Sequence, residues 1–379
     1  MKLTLILLIC LIQSVYLFKL NKTFNHGSHI SIISQINNRM LSVNYLASGG
    51  HDGSIKIWDI TTGKLKFTFD KTNGGHSRWI TSLVCLENGY LSSGSDDSTL
   101  KIWDIINGKL LFTFDETNEG HIWGVNTLVS LENGLLASGA ESIKIWDVKN
   151  EKLKFTFDQT NGGHSDYVSL LVELENGYLA SGSGDYSVKI WDITNFRLKY
   201  TLNQSNGGHS REISSLASLE NGYLASGSWD TTIKIWDATN GRLKYSFDQK
   251  NGGHSSNISL AIVTSLVSLD NGYLASSSYD KTVKIWDIIN GKLKFTFDET
   301  NGGHLKDVSS LASLENGLLA SGSNDFTIKI WDIENGKLMF TFNQSNQGHT
   351  SYVWSLASLD NNYLASGSYD ETVKIWEIY

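Results

Sequence analysis

Serine, histidine and aspartate, the residue types of nucleophilic hydrolysis, recur together along this chain. Gly-His pairs place His76, His121, His164, His209, His254, His304 and His349, and turns such as the Gly-Ser-Trp-Asp of residues 227–230 follow them. A catalytic nucleophile is singular, exposed and close to an oxyanion site. Here the trio returns in most units, beside a tryptophan whose indole N–H needs a buried partner. Hydrolysis is therefore not expected, and no residue is assigned a catalytic role. Loops of the form Asp-x-Thr-Asn-Gly-Gly, such as residues 158–163, have the flavour of a calcium loop. They lack the alternating oxygen ligands and terminal Glu of an EF-hand, and Asn and Gly suit a turn-and-cap role. Neither a metal site nor a cofactor is expected.

The composition fits a globular chain of 379 residues, with 40% hydrophobic and 18% charged residues. Lys plus Arg number 31 against 39 Asp plus Glu, a formal net charge of −8. This lacks the basic field of a general nucleic-acid binder. Two cysteines, Cys10 and Cys85, exclude a disulfide-stapled fold. Proline is absent, so the 35 glycines must supply most of the turns.

The elements that carry these residues repeat. Ile-Lys-Ile-Trp-Asp, or a close variant, contains Trp58, Trp103, Trp146, Trp191, Trp236, Trp286, Trp331 and Trp376, separated by 45, 43, 45, 45, 50, 45 and 45 residues. From His to Trp the spacing is 27 in five units, 25 in the third and 32 in the sixth. Each unit reads as four short strands. In the fifth these are residues 213–219, 223–226, 233–238 and 243–247, with Asn240-Gly241 as a tight hairpin. The third strand is β-branched and aromatic. The fourth alternates, with Leu65, Phe67 and Phe69 expected on one face and Lys64, Lys66 and Thr68 on the other. Strands two and three carry apolar or small residues on both parities, as sheets covered on both faces require. Four-stranded sheets stacked radially form a β-propeller, and no unit can bury its faces alone.

The ring is expected to close through its ends. The last unit stops after its third strand, and a strand of the missing kind lies at residues 19–24. Leu20 precedes Trp58 by 38 residues, as Leu65 precedes Trp103. The fold expected is an all-β, closed eight-bladed propeller over residues 17–379, acting as a monomeric ring, with four antiparallel strands per blade and residues 19–24 completing the last.

Gly-His, Gly-Ser-x-Asp and Ile-Trp-Asp at this spacing resemble the WD40 repeat family over residues 19–379. The resemblance implies a hydrogen-bonded chain of His, Ser, Asp and Trp inside each blade: His209, Ser226, Asp230 and Trp236 in the fifth, and His304, Ser321, Asp325 and Trp331 in the seventh. The third blade, two residues short at 139–142, has no matching Asp and is expected to have an incomplete network. The first has no Gly-His in register, and His29 lies two residues off. These departures make the first three blades the expected least rigid part.

The resemblance also implies that the residue before the turn Asp, and those three and five after the His, line the wider surface where partners bind. Those positions give Trp79, Tyr167, Trp229, Tyr279, Tyr352, Trp354 and Tyr369. Exposed aromatics at variable positions anchor interfaces, and three of the seven fall in blade eight. The bland alternative is that some pack on a neighbouring blade. Only Arg78 and Arg211 of five arginines lie near this surface, which argues against a phosphopeptide pocket. Its repeated carboxylates favour cationic or neutral partners. Most lysines are expected on strands three and four near the rim, snorkelling outward.

Residues 1–16 are signal-peptide-like, with one lysine and an apolar run at 3–12 too short for a comfortable span. Cleavage would leave Cys85 as the sole cysteine. A secretory or extracellular location is expected, against a cytoplasmic or anchored alternative. The sequons at Asn21, Asn203, Asn257 and Asn343 are about as many as chance supplies in so Asn-rich a chain and favour neither. The function expected is a non-catalytic protein-interaction scaffold with protein partners, no nucleic acid and no stable membrane span once the signal is cleaved. The alternative is a secreted propeller binding carbohydrate or another small ligand on the same aromatics.

Overall fold

In each unit the Ile-Lys-Ile-Trp-Asp strand lies inside its sheet, flanked on both edges by strands and on both faces by neighbouring sheets, which is why it is apolar on both parities. The computed structural model describes residues 18–38, 43–132, 134–254 and 261–378. They form eight four-stranded antiparallel sheets. Blade five has Ile213–Leu219, Tyr223–Ser228, Ile233–Asp237 and Arg242–Phe247 in spatial order. First strands of successive blades neighbour one another around the axis. Helical structure among the described residues is confined to three-residue 3-10 turns, none long enough to cross a membrane. The signal-like segment, Cys10 and Asn257 lie outside the described residues.

The ends close the ring as expected. Phe18–Asn25 pairs antiparallel with Thr372–Ile378, with Leu20 opposite Trp376 and Phe24 opposite Val373. Lys19 forms a 2.7 Å ion pair with Glu377, the residue that replaces Asp in the last Ile-Trp-Asp. The same strand is fastened to blade one: Phe24 stacks on Trp58 at 4.9 Å, and the Lys22 ammonium donates to the carbonyls of Ile60 and Thr61.

Each repeat tryptophan ties two blades together. Within its own blade, Trp236 Nε1 donates to Ser226 Oγ at 2.9 Å, and Ser226 Oγ meets His209 Nε2 at 2.8 Å. His209 Nδ1 in turn meets Asp230, which also accepts from Thr232 Oγ1 and from the Ser210 backbone. His304, Ser321, Asp325 and Trp331 are joined the same way. Across the interface, the last aromatic of the preceding fourth strand covers the indole, as Phe247 covers Trp286 at 4.4 Å and Phe297 covers Trp331 at 4.3 Å. Leu202 takes that place against Trp236.

Four expectations need correction. The third blade is complete: His121 Nδ1 meets Glu141 Oε1 at 3.1 Å, and His121 Nε2 and Trp146 Nε1 both reach Ser138 Oγ at 2.7 Å. The extra methylene of Glu141 spans the two residues missing from the turn. In the first blade the buried imidazole is His26, not His29; its Nε2 lies 3.2 Å from the Ser48 carbonyl while Trp58 takes Ser48 Oγ. Burial, only partly offset by that contact, pushes His26 down to about 4.

Fourth strands do not alternate cleanly. A bulge shifts the register between Ile57 and Trp58, so that Leu65 opposes Trp58 while Phe67 and Phe69 oppose Ile57 and Ile55. The extra residue flips Leu65 to the other face, where it is 46% exposed. The bulged lysines Lys66, Lys199, Lys244 and Lys294 lie over Tyr45, Tyr178, Tyr223 and Tyr273 at 3.8–4.1 Å. Third-strand lysines are more enclosed than a rim position implies; Lys234, for one, is buried with its ammonium on Ser246 Oγ.

Two predictions follow from the His-carboxylate pairs. Glu141→Asp, although it installs the residue the other units use, should strand His121 and cost about 1–3 kcal/mol in denaturant unfolding; an unchanged midpoint would show that the turn can relax. Burial pushes His76, His121, His164, His304 and His349 down, with their carboxylates offsetting this only in part. Burial alone would raise Asp280, but His254 and Thr282 hold it at about 2, and Asp97, Asp185, Asp230, Asp325 and Asp370 are likewise held low. The unfolded chain therefore takes up more protons, so stability should fall as pH drops below about 6.5 and again below about 4. Melting temperatures that rise from pH 7 to pH 4 would contradict neutral buried imidazoles.

Candidate interaction surface on the loop face

The buried His hook fixes the geometry of one face of the ring. The residue after the His donates its backbone N–H to the turn carboxylate, as Ser77 does to Asp97 and Thr350 does to Asp370. A second backbone bond then pairs the residue before the turn Asp with the third residue after the His: Asp96 with Trp79, Gly184 with Tyr167, Trp229 with Glu212, Asn324 with Asp307, and Tyr369 with Tyr352. In every blade but the third, this bond sets the two positions side by side on a rigid frame. In blade one the pair is His29 and His51, neither of which the sequence analysis assigned. Recognising His26 as the hook would have found both: its spacing to Trp58 is 32, the same as that from His254 to Trp286.

Four of the seven residues expected at the partner surface are brought together. Tyr369 lies 5.8 Å from Tyr352, 5.5 Å from Trp354, 4.6 Å from His29 and 5.2 Å from His51, ring centroid to centroid. His51 stacks on Trp79 at 4.1 Å. At the other end, Phe326 adjoins Tyr352 at 5.7 Å. The result is a continuous crescent of seven rings over blades seven, eight, one and two. Trp79 is 50% exposed, Tyr352 39% and Trp354 38%.

The other three stand apart. Tyr167 bridges blades: its hydroxyl donates to Glu212 at 2.8 Å, and burial together with that carboxylate pushes its pKa up to about 12. The packing role considered for such residues describes it well. Trp229 is exposed in blade five, across the ring from the crescent. Tyr279 is half-buried in blade six, where burial, with Asp307 and Tyr369 in electrostatic reach, raises its hydroxyl.

Trp354 breaks a second repeating pattern. The residue five after the hook, or ten after it in the longer sixth unit, is Ser31, Thr81, Asn126, Ser169, Ser214, Thr264 or Ser309 in seven of the interfaces. Each donates its side chain to a first-strand carbonyl of the next blade, from Ile80 and Val125 round to Val353. Trp354 holds the eighth place and makes no such bond; its ring stands against Tyr369 instead.

Charge is also segregated. The loops of this face, between each fourth strand and the next first strand and between second and third strands, hold 21 of the 39 acidic residues but six of the 31 Lys and Arg residues. These loops therefore sum to a formal −15 and the rest of the chain to +7, with part-buried third-strand lysines such as Lys101, Lys234 and Lys284 in electrostatic reach of the hook and cap carboxylates. His51 is pushed down by partial burial and then by His29, against the pull of Asp52 and Asp96.

The family model for the WD domain, G-beta repeat, matches residues 19–59, 63–104, 153–192, 198–237, 243–287, 291–332 and 336–377. The matched units start on a fourth strand and end on the third strand of the following blade, the same offset by which the chain closes. The unit between 104 and 153 is the one with the shortened turn and Glu141. Among solved structures, the chain is similar to the computationally designed Ika8 protein at 31% identity and a TM-score of 0.76, over 95% of this chain and 99% of that one. No curated protein matches.

If Trp354 serves the surface rather than the ring, returning it to the repeat residue should leave the fold intact. Trp354→Ser regains an interblade hydrogen bond and loses one ring contact, terms of similar size, so its unfolding free energy should stay within about 1 kcal/mol of the parent. Trp236→Ser, which empties an interface, should lose at least about 3 kcal/mol. Equal losses in the two variants would make Trp354 a packing residue.

Proposed function

The chain belongs to the WD40 family, whose propellers generally serve as non-catalytic scaffolds for protein interaction, and from that premise we propose that the crescent is its docking surface for a protein partner. One observation carries this reading. At Trp354 a hydrogen bond kept in the seven other interfaces is given up for an exposed indole, a change with no benefit to the ring itself. Binding to a surface already rigid on free protein loses little ordering entropy. Trp354, Tyr352, Tyr369 and Trp79 are the proposed anchors, with His29, His51 and Phe326 completing the patch.

The rings run together across four blades instead of recurring as one equal pocket per blade. That irregular, continuous shape suits a polypeptide better than a repeated sugar. We further propose, on residues 3–12 alone, that the partner is met in the secretory pathway or outside the cell. N-terminal sequencing of protein from medium and cells of a secreting host tests this: a chain beginning near residue 15 in the medium is expected.

The docking reading is tested by quantitative comparison of proteins co-purifying with the parent, Trp354→Ser, Tyr369→Ala and Trp229→Ala. Partners should fall at least tenfold for the first two, as for loss of an interface anchor worth about 2 kcal/mol or more, and should persist for Trp229→Ala. Partners retained by both crescent variants would sink the assignment.

A further inference from the structure

We propose that the segment seated on the crescent is cationic: a lysine- or arginine-bearing peptide stretch of the partner protein. This rests on the docking reading and adds the chemistry of the occupant.

Two independent features converge on it. The first is the distribution of charge. The loops of this face are strongly acidic while the chain is only mildly so, and in blades eight and one, at the centre of the crescent, they contain Asp52, Asp370 and Glu371 and no Lys or Arg. The half-buried Lys374 of the third strand stands in reach of Asp370 and leaves Asp52 and the exposed Glu371 as the carboxylates of this part of the surface. An anionic partner such as a nucleic acid, an acidic membrane or a phosphopeptide would be repelled from this face; a basic segment would be drawn to it.

The second is the rings. Tyr, Trp and Phe present electron-rich faces that attract ammonium and guanidinium groups within about 6 Å. The crescent already shows this chemistry at one end, where the Lys306 ammonium stands 5.2 Å from the Phe326 ring. Further along, Tyr352, Trp354 and Tyr369 form a group of three rings with no lysine or arginine placed over them among the described residues. A side chain entering there meets aromatic faces at short range and carboxylates at longer range. Acidic residues alone would attract cations without choosing a place, and rings alone would accept any apolar segment. Together they select a cation and locate it.

The experiment is a selection from a random twelve-residue peptide display library on the intact chain, counter-selected on Trp354→Ser, with Tyr369→Ala as a second crescent variant. The expected result is a set of peptides enriched in Lys and Arg over Asp and Glu. A synthesised winner should bind the parent at least about tenfold more tightly than either variant, and should weaken about tenfold between low and moderately high salt as charge attraction is screened. Replacing its lysines by acetyl-lysine should abolish binding. Crescent-dependent winners without basic residues would overturn the cationic occupant and leave the docking reading standing. Failure to obtain any peptide that discriminates parent from Trp354→Ser would overturn both.

Discussion

The indole of the third strand is the interaction on which this ring depends. Its N–H must be satisfied where no water reaches, and its ring must be covered where its own sheet cannot cover it. The first demand draws a serine and a histidine into each blade, with a carboxylate behind the histidine in all but the first; the second draws the phenylalanine or leucine of the blade before. A single residue type thereby couples the inside of one unit to the outside of the next, so no unit is complete until its neighbours are present. Closure follows from the same logic. Trp58 has no preceding blade in sequence, and Phe24, from the strand added to blade eight, supplies its cover.

Because the same constraint acts eight times, the chain tolerates variation only where chemistry can be rebuilt. Glu141 shows one solution, a longer side chain across a shorter turn. Blade one shows another: His26 keeps its place with a backbone carbonyl in place of the serine hydroxyl, and its imidazole stays neutral. Leu202 keeps the interface apolar without the ring. Each departure preserves burial, and the first two change only the polar partner. Trp354 differs in kind, since it removes an interblade donor and exposes its own surface.

Much of this was legible in the sequence. Tryptophan spacing fixes eight units, a period near 45 fixes four strands each, and the homology of residues 19–24 to other fourth strands fixes the closure. What could not be read has physical causes. A bulge inserts a residue without changing composition, so the strand of Leu65 reads as alternating when its phase in fact flips. The compensation by Glu141 depends on a distance across a turn, which a missing Asp conceals. His26 was hidden because the first unit lacks the Gly-rich loop before its hook and gains residues between its first and second strands. Of the aromatics, position in the repeat predicts the face but not adjacency. Tyr352, Trp354 and Tyr369 share a blade and could be grouped, whereas Trp79 joins them only through His51.

The crescent lies over the seam where the two ends of the chain meet, and the way that seam is fastened explains why it can accommodate Trp354. At its outer edge, the closing strand is bound to blade eight by a full antiparallel pairing and the Lys19–Glu377 ion pair, to blade seven by a stack of Phe18 on Phe340 at 5.1 Å, and to blade one by the Phe24–Trp58 stack and the Lys22 ammonium on the Ile60 and Thr61 carbonyls. Nearer the axis, the Ser355 hydroxyl still accepts from the Ile33 backbone of blade one. Against these, the missing donor at residue 354 represents about 0.5–1.5 kcal/mol, a small part of what holds the interface. At every interface the fourth strand of one blade runs on into the first strand of the next; here that fourth strand is the N-terminal one, and it is held to blade eight by its pairing with Thr372–Ile378. The contact given up at residue 354 leaves that pairing and the Phe24–Trp58 stack in place, and it is at this interface that the aromatic surface has its centre.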